Sequence, residues 1–137
     1  MELEKGEKSL KSIYYVREKD LWNDVLQMYR DGDFPIALAE NLKKMVRRIV
    51  GSKRFDSCSD LLREEMISRA YSHVCIALWE KKFNPKHGSR VYSWASRVIL
   101  NECLKAIEDE QRRLRRFSEY AHAHSLTAVV EVVKNDI

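Results

Sequence analysis

Trp94, Arg97, Asn101 and Lys105 are three, four and four residues apart. On a helix turning about 100° per residue they fall along one side. An indole plate, a guanidinium, an amide and an ammonium in a row can stack on a base, read base edges and neutralise phosphate. Tyr92 offers a second ring, and Arg112, Arg113, Arg115 and Arg116 follow in the same segment. Blander readings stand beside this one. Cations near a helix end complement the macrodipole, a charge run is commonly a solvated end, and Trp94 at the edge of an apolar face can be core. The residues alone leave nucleic-acid binding and a plain helical interaction module close together.

The element that must carry these side chains is Ser89 to Phe117, which has no Gly or Pro and reads as one long helix. Val91, Ala95, Val98, Ile99, Cys103 and Ala106 recur at helical spacing as its inner face. Upstream, four glycines and two prolines in the whole chain argue for an all-α fold, a single bundle of about four main helices with one long C-terminal helix. Residues 1–13 read as a polar arm, 14–117 as the helical domain and 118–137 as a tail. A first helix fits about Arg17 to Asp31, with Leu21, Trp22, Val25, Met28 and Tyr29 inward. A second starts near Pro35 and runs to about Val50, with Leu38, Leu42, Met45 and Ile49 inward and Lys43, Lys44, Arg47 and Arg48 outward.

The third helix spans roughly Asp60 to Lys82, capped by Ser59 or Asp60. Leu62, Met66, Ala70, Val74, Ala77 and Leu78 form its inner stripe. Opposite lie Glu65, Ser68, Ser72, Ile76 and Trp79. An outward Trp and Ile either pack on the first helix or an arm, or form a partner-binding surface with an aromatic anchor. The β-branched run Ala128 to Val133 fits a short strand or a helix.

Composition bounds the function. An apolar content of 45% and a charged content of 34% suit one globular domain in 137 residues. The net charge of +4 is compatible with a polyanion partner without requiring one. Cys58, Cys75 and Cys103 are odd in number with no CxxC, which suggests buried thiols in a reducing compartment. No run suits a membrane span or signal peptide, so the expected location is a cytoplasm. There is no P-loop and no GxGxxG. His122 and His124 lack neighbouring ligands, and His73 and Cys75, two apart on a helix, diverge. The sequence therefore argues against an enzyme and implies no cofactor and no metal.

The order of helix, Lys82-Phe83-Asn84-Pro85 loop and Val91-Tyr92-Ser93-Trp94-Ala95 helix ending in arginines resembles region 2 of bacterial sigma factors. There the usual text is acidic-Leu (here Asp60-Leu61), then Lys-Phe-Asp-Pro and a Phe-x-x-Tyr-Ala helix. The likeness is nearest to the late-transcription sigma factors of T-even bacteriophages. It extends through Tyr15-Val16, Lys19-Asp20-Leu21 and Lys53-Arg54-Phe55, covering about residues 14–120. The resemblance implies a non-enzymatic initiation factor in the host bacterial cytoplasm. It would bind core RNA polymerase at the large-subunit clamp helices through Glu65, Ser68, Arg69, Ser72, Ile76 and Trp79. It would open a −10-like TATA element in promoter DNA with Tyr92, Trp94, Arg97, Asn101, Lys105, Arg112, Arg113, Arg115 and Arg116. Only 20 residues follow Phe117, too few for the domain that reads a −35 element. Primary sigma factors have a Trp pair where this chain has Arg97-Val98. The phage branch also lacks that pair, which implies cation–base stacking and phosphate contact from Arg97. Phage late factors also work with a sliding clamp or a coactivator. Val129 to Ile137 is apolar with Glu131 and Asp136 but lacks the Leu and Phe of their clamp-binding tail.

Overall fold

The computed structural model describes residues 15–135. The arm of residues 1–13, the final Asp136-Ile137 and the side chains from residue 126 onward lie outside the described residues. The fold is all-α: helices α1 (Glu18–Asp31), α2 (Ile36–Val50), α3 (Asp60–Trp79) and α4 (Val91–Asn135), with 3-10 turns at Lys53–Phe55 and Pro85–His87. Among the described residues there is no strand, and no helix is long and apolar enough to cross a membrane. The chain divides into two units, Met1–Ala106 and Ile107–Ile137.

Each helix end in the first unit has a local cause. Gly32 ends α1 in the left-handed region at φ 77°, its N–H bonded to the Met28 carbonyl at 2.8 Å. Ser59 rather than Asp60 caps α3, its hydroxyl accepting from the Leu62 N–H at 3.1 Å. Helix α3 stops at Trp79, three residues before the expected Lys82, because Lys81 adopts φ 58°. The Lys82 N–H then reaches the Ala77 carbonyl and the Lys81 N–H reaches Leu78, both at 2.9 Å. That is a Schellman ending with lysine at the position glycine usually holds, a strained choice for an L-residue. The Lys81 ammonium sits 5.7 Å from the centre of the Tyr29 ring, a cation–π contact that partly offsets the strain.

Leu21, Val25 and Met28 of α1 are buried against Leu38, Leu42, Met45, Val46 and Val50 of α2 and Met66, Ala70, Val74, Ala77 and Leu78 of α3. Val46 and Val50 belong to the core in addition to the expected stripe, while Ile49 is only half-buried. Helix α4 adds Val91, Ala95, Ile99, Cys103 and Ala106; Val98 is half-buried. Fully burying a large aliphatic side chain is worth roughly 1.5–3 kcal/mol, so these stripes supply most of the fold's cohesion.

Two features of α4 depart from expectation. It begins at Val91 rather than Ser89, because its first N–H groups are met from outside. The Glu18 carboxylate accepts from the Val91 and Tyr92 N–H groups, each at 2.8 Å, from 73 residues away in sequence. It also passes Phe117 and includes the β-branched run, ending at Asn135. No Gly or Pro follows Gly88 to stop it, and β-branched residues lower helix propensity only slightly.

Replacing Glu18 with Ala orphans both N–H groups at the start of α4 and should lower the unfolding free energy by about 1–3 kcal/mol. Glu18→Gln, which keeps one acceptor oxygen, should lose less. Urea denaturation followed by circular dichroism reads the difference, and an unshifted Glu18→Ala midpoint would show the cap to be idle.

Cys103 is fully buried in the α4 stripe. Burial, with smaller contributions from Glu102 and Cys58, pushes its thiol up to about 11 from an ordinary 9.0. The unfolded chain therefore ionises first. The stability held by the neutral buried thiol is intact below about 9 and is lost as the pH rises through about 11. The urea midpoint should fall across that window, and should fall less steeply in Cys103→Ala.

Candidate nucleic-acid interface

Three aromatic rings fix the start of the interface. Phe83, 2% exposed, follows the α3 ending directly and is buried by the packing of α1 and α4 around it. Its ring meets Trp22 edge-on at 6.1 Å and Trp94 at 5.5 Å with a 59° tilt. Its carbonyl accepts from the Tyr29 hydroxyl at 2.8 Å, and burial raises the Tyr29 phenol above its ordinary range. Downstream, the Asn84 side chain accepts from the Lys86 N–H at 2.9 Å, which closes the turn that Pro85 opens. The loop is therefore pinned before α4 begins.

Trp94 is neither core nor free. It is half-buried, with Phe83 against its ring. Arg97, Asn101 and Lys105 are exposed along the same side of α4, and none makes a side-chain hydrogen bond or ion pair among the described residues. The expected row of aromatic, cation, amide and cation is thus present on one accessible flank beside the buried Val91–Ala106 stripe.

Tyr92 has a neighbourhood that spacing could not reveal. Its hydroxyl accepts from Arg48 Nη1 of α2 at 3.0 Å. Tyr15, Glu18, Arg48, Arg90 and Tyr92 line an open hollow of about 270 Å³ at the head of α4. Arg48 was legible only as one cation on the outer side of α2. Its approach to a ring 44 residues later comes from tertiary packing.

The outward side of α3 is also as expected in most positions. Glu65, Ser68 and Ser72 are exposed, and Ile76 and Trp79 are 55% and 54% exposed, so burial against α1 does not account for them. Arg69 behaves differently. It is half-buried, its guanidinium 3.2 Å from Glu102 of α4 and 3.9 Å from Glu65. It ties two helices together, and His73 lies 3.8 Å from the same Glu102.

In the second unit, Arg112, Arg113, Arg115 and Arg116 are all exposed. Arg113 grips Glu110 through two bonds, at 2.7 and 3.1 Å, and that contact holds the Glu110 carboxyl below the usual carboxylate range. Arg112, Arg115 and Arg116 make no ion pair among the described residues. Neither a protein-family model nor a curated protein sequence matches the chain.

The ring geometry sets an order of costs. Phe83→Ala removes the shared contact of two Trp rings from a buried site and should cost about 3–5 kcal/mol. Trp94→Ala, at a half-buried rim, should cost about 1–2 kcal/mol, since less area leaves water on folding. Urea titrations of the two variants test the order, and equal losses would place Trp94 in the core.

Proposed function

We propose that this chain is a sigma factor of the short phage type, which binds bacterial core RNA polymerase and opens a −10-like TATA element to start late transcription. The observation that carries the reading is the exposed Trp94–Arg97–Asn101–Lys105 flank, with Trp94 braced from behind by Phe83. A braced indole with an open side is suited to receive one extruded base. Unstacking a base costs a few kcal/mol, least at flexible TA steps, and stacking on an aromatic returns ~1–3 kcal/mol. In this reading Asn101 reads a base edge, and Arg97 and Lys105 hold phosphates. Arg48 and Arg90, beside Tyr92, add positive charge at the head of the same helix. Arg112, Arg115 and Arg116 supply sequence-independent contacts.

The polymerase would dock on the outward side of α3 through Glu65, Ser68, Ser72, Ile76 and Trp79. Arg69 then acts by holding α3 to α4 rather than by touching the partner. The exposure of Ile76 and Trp79 also suits a second reading, a polymerase-binding adaptor or inhibitor, which has no use for Trp94.

Transcription with core polymerase on a TATA-bearing duplex separates the two. The sigma reading expects transcripts that depend on this protein. Trp94→Ala should still co-purify with polymerase but lose about 5- to 150-fold in duplex-template activity, from the ~1–3 kcal/mol of one base stack. A template already melted at −10 should restore much of it. Inhibition by the wild-type protein, or a Trp94→Ala variant as active as wild type, would favour the adaptor.

A further inference from the structure

The second unit carries exposed aromatic side chains, beside Arg112 and Arg116, that the promoter reading leaves unused. Leu114, Phe117 and Tyr120 are 53%, 69% and 62% exposed. On a helix, Arg113, Phe117, Tyr120 and His124 fall within about 60° of arc, with Arg116 about 40° beyond Tyr120 and Arg112 next to it. The His124 ring lies against the Tyr120 ring at 4.0 Å with a 33° tilt, so the two form one tilted pair on the exposed helix surface. His124 Nδ1 is 3.3 Å from the Tyr120 carbonyl, which fixes the ring there.

We propose that this face binds an unpaired DNA strand, with Phe117 and Tyr120 as stacking platforms and Arg112 and Arg116 on the phosphates. Charge chooses the class of occupant. Arg113 is gripped by Glu110 and Asp109 lies among the arginines, but Arg112, Arg113 and Arg116, three cations against two carboxylates, leave this face net positive. A polyanion has the complementary sign. The rings then choose the form. Base faces in a duplex are covered by their neighbours, so plates gain nothing from it, whereas unpaired bases stack on any aromatic. Helical rise spaces Arg113, Phe117, Tyr120 and His124 by about 4.5–6 Å along the axis. That exceeds the roughly 3.4 Å axial rise per nucleotide along a duplex strand and suits an extended one. The choice of DNA over RNA rests on the promoter reading; the geometry of the surface does not.

The test is fluorescence anisotropy of the full chain with a labelled oligo-dT of about twenty nucleotides, longer than the 4–16 that one binding face commonly covers. Phe117→Ala/Tyr120→Ala should weaken oligo-dT binding by about ten-fold or more and change binding to a duplex of equal length by less than about two-fold. Arg112→Gln/Arg116→Gln should lower the slope of log affinity against log salt by about 1.4, at about 0.7 per phosphate contact on single strands. These side chains are exposed, so circular dichroism should show both variants folded. Oligo-dT binding unchanged in the aromatic variant would overturn the proposal, as would an equal loss on duplex or a ten-fold preference for oligo-U. So would a wild-type dimer that sediments as monomer in the aromatic variant. Failure here with transcription intact would leave the sigma reading standing, and loss of transcription with oligo-dT binding as expected would remove only that reading.

Discussion

Much of the first unit depends on where the Phe83 ring sits. It touches both Trp22 of α1 and Trp94 of α4, and its backbone carbonyl holds the Tyr29 hydroxyl. Both kinds of contact tie the loop between α3 and α4 to α1. The Glu18 carboxylate at the head of α1 then captures the first two N–H groups of α4. Ring packing sets where α4 starts, and the carboxylate fixes its N-terminus electrostatically, since a helix start favours negative charge. The angular position of Trp94 follows from both.

Helical periodicity foretold much and missed what arises between helices. The stripes of α1, α3 and α4 were legible because a large apolar side chain every three or four residues has one economical place to go. In α2 the same rule pointed to Ile49, yet Val46 and Val50 are the buried neighbours. Ile49 and Val50 lie about 100° apart on the helix, so which of them is covered depends on where the neighbouring helices sit, and spacing alone does not give that. The capture of α4 by Glu18, the Arg48–Tyr92 bond and the Arg69–Glu102 pair were invisible for a different reason. Each joins residues 33 to 74 positions apart, and such contacts exist only once the helices pack. The candidate interface was therefore legible as a row of residue types along one helix, while its bracing was not.

The early end of α3 and the late end of α4 share one lesson about punctuation. The boundary expected at Lys82 moved because Lys81 entered the left-handed region without being glycine, held by the Schellman bonds and the Tyr29 ring. The boundary expected at Phe117 moved because nothing in the sequence forces a stop after Gly88. A stop signal can be supplied by tertiary contacts. A continuation needs only the absence of one and residues of adequate propensity.

The chemistry of α4 changes where its buried stripe ends. Up to Ala106 every turn gives the core a residue, and the flank side chains are positioned by that burial. From Gln111 to Ser125 every residue is exposed, so helical conformation there is supported by propensity and by local pairs such as Glu110–Arg113. Isolated helices without a packed face are marginal in water. A partner that covers Phe117 and Tyr120 while neutralising Arg112 and Arg116 would stabilise the helix it binds, because both rings are exposed and those two arginines make no ion pair among the described residues. Trp94, held by Phe83 before any ligand arrives, loses little side-chain freedom on binding, whereas Phe117 and Tyr120 lose more. The same helix thus offers a preorganised platform in one unit and an adaptable one in the other.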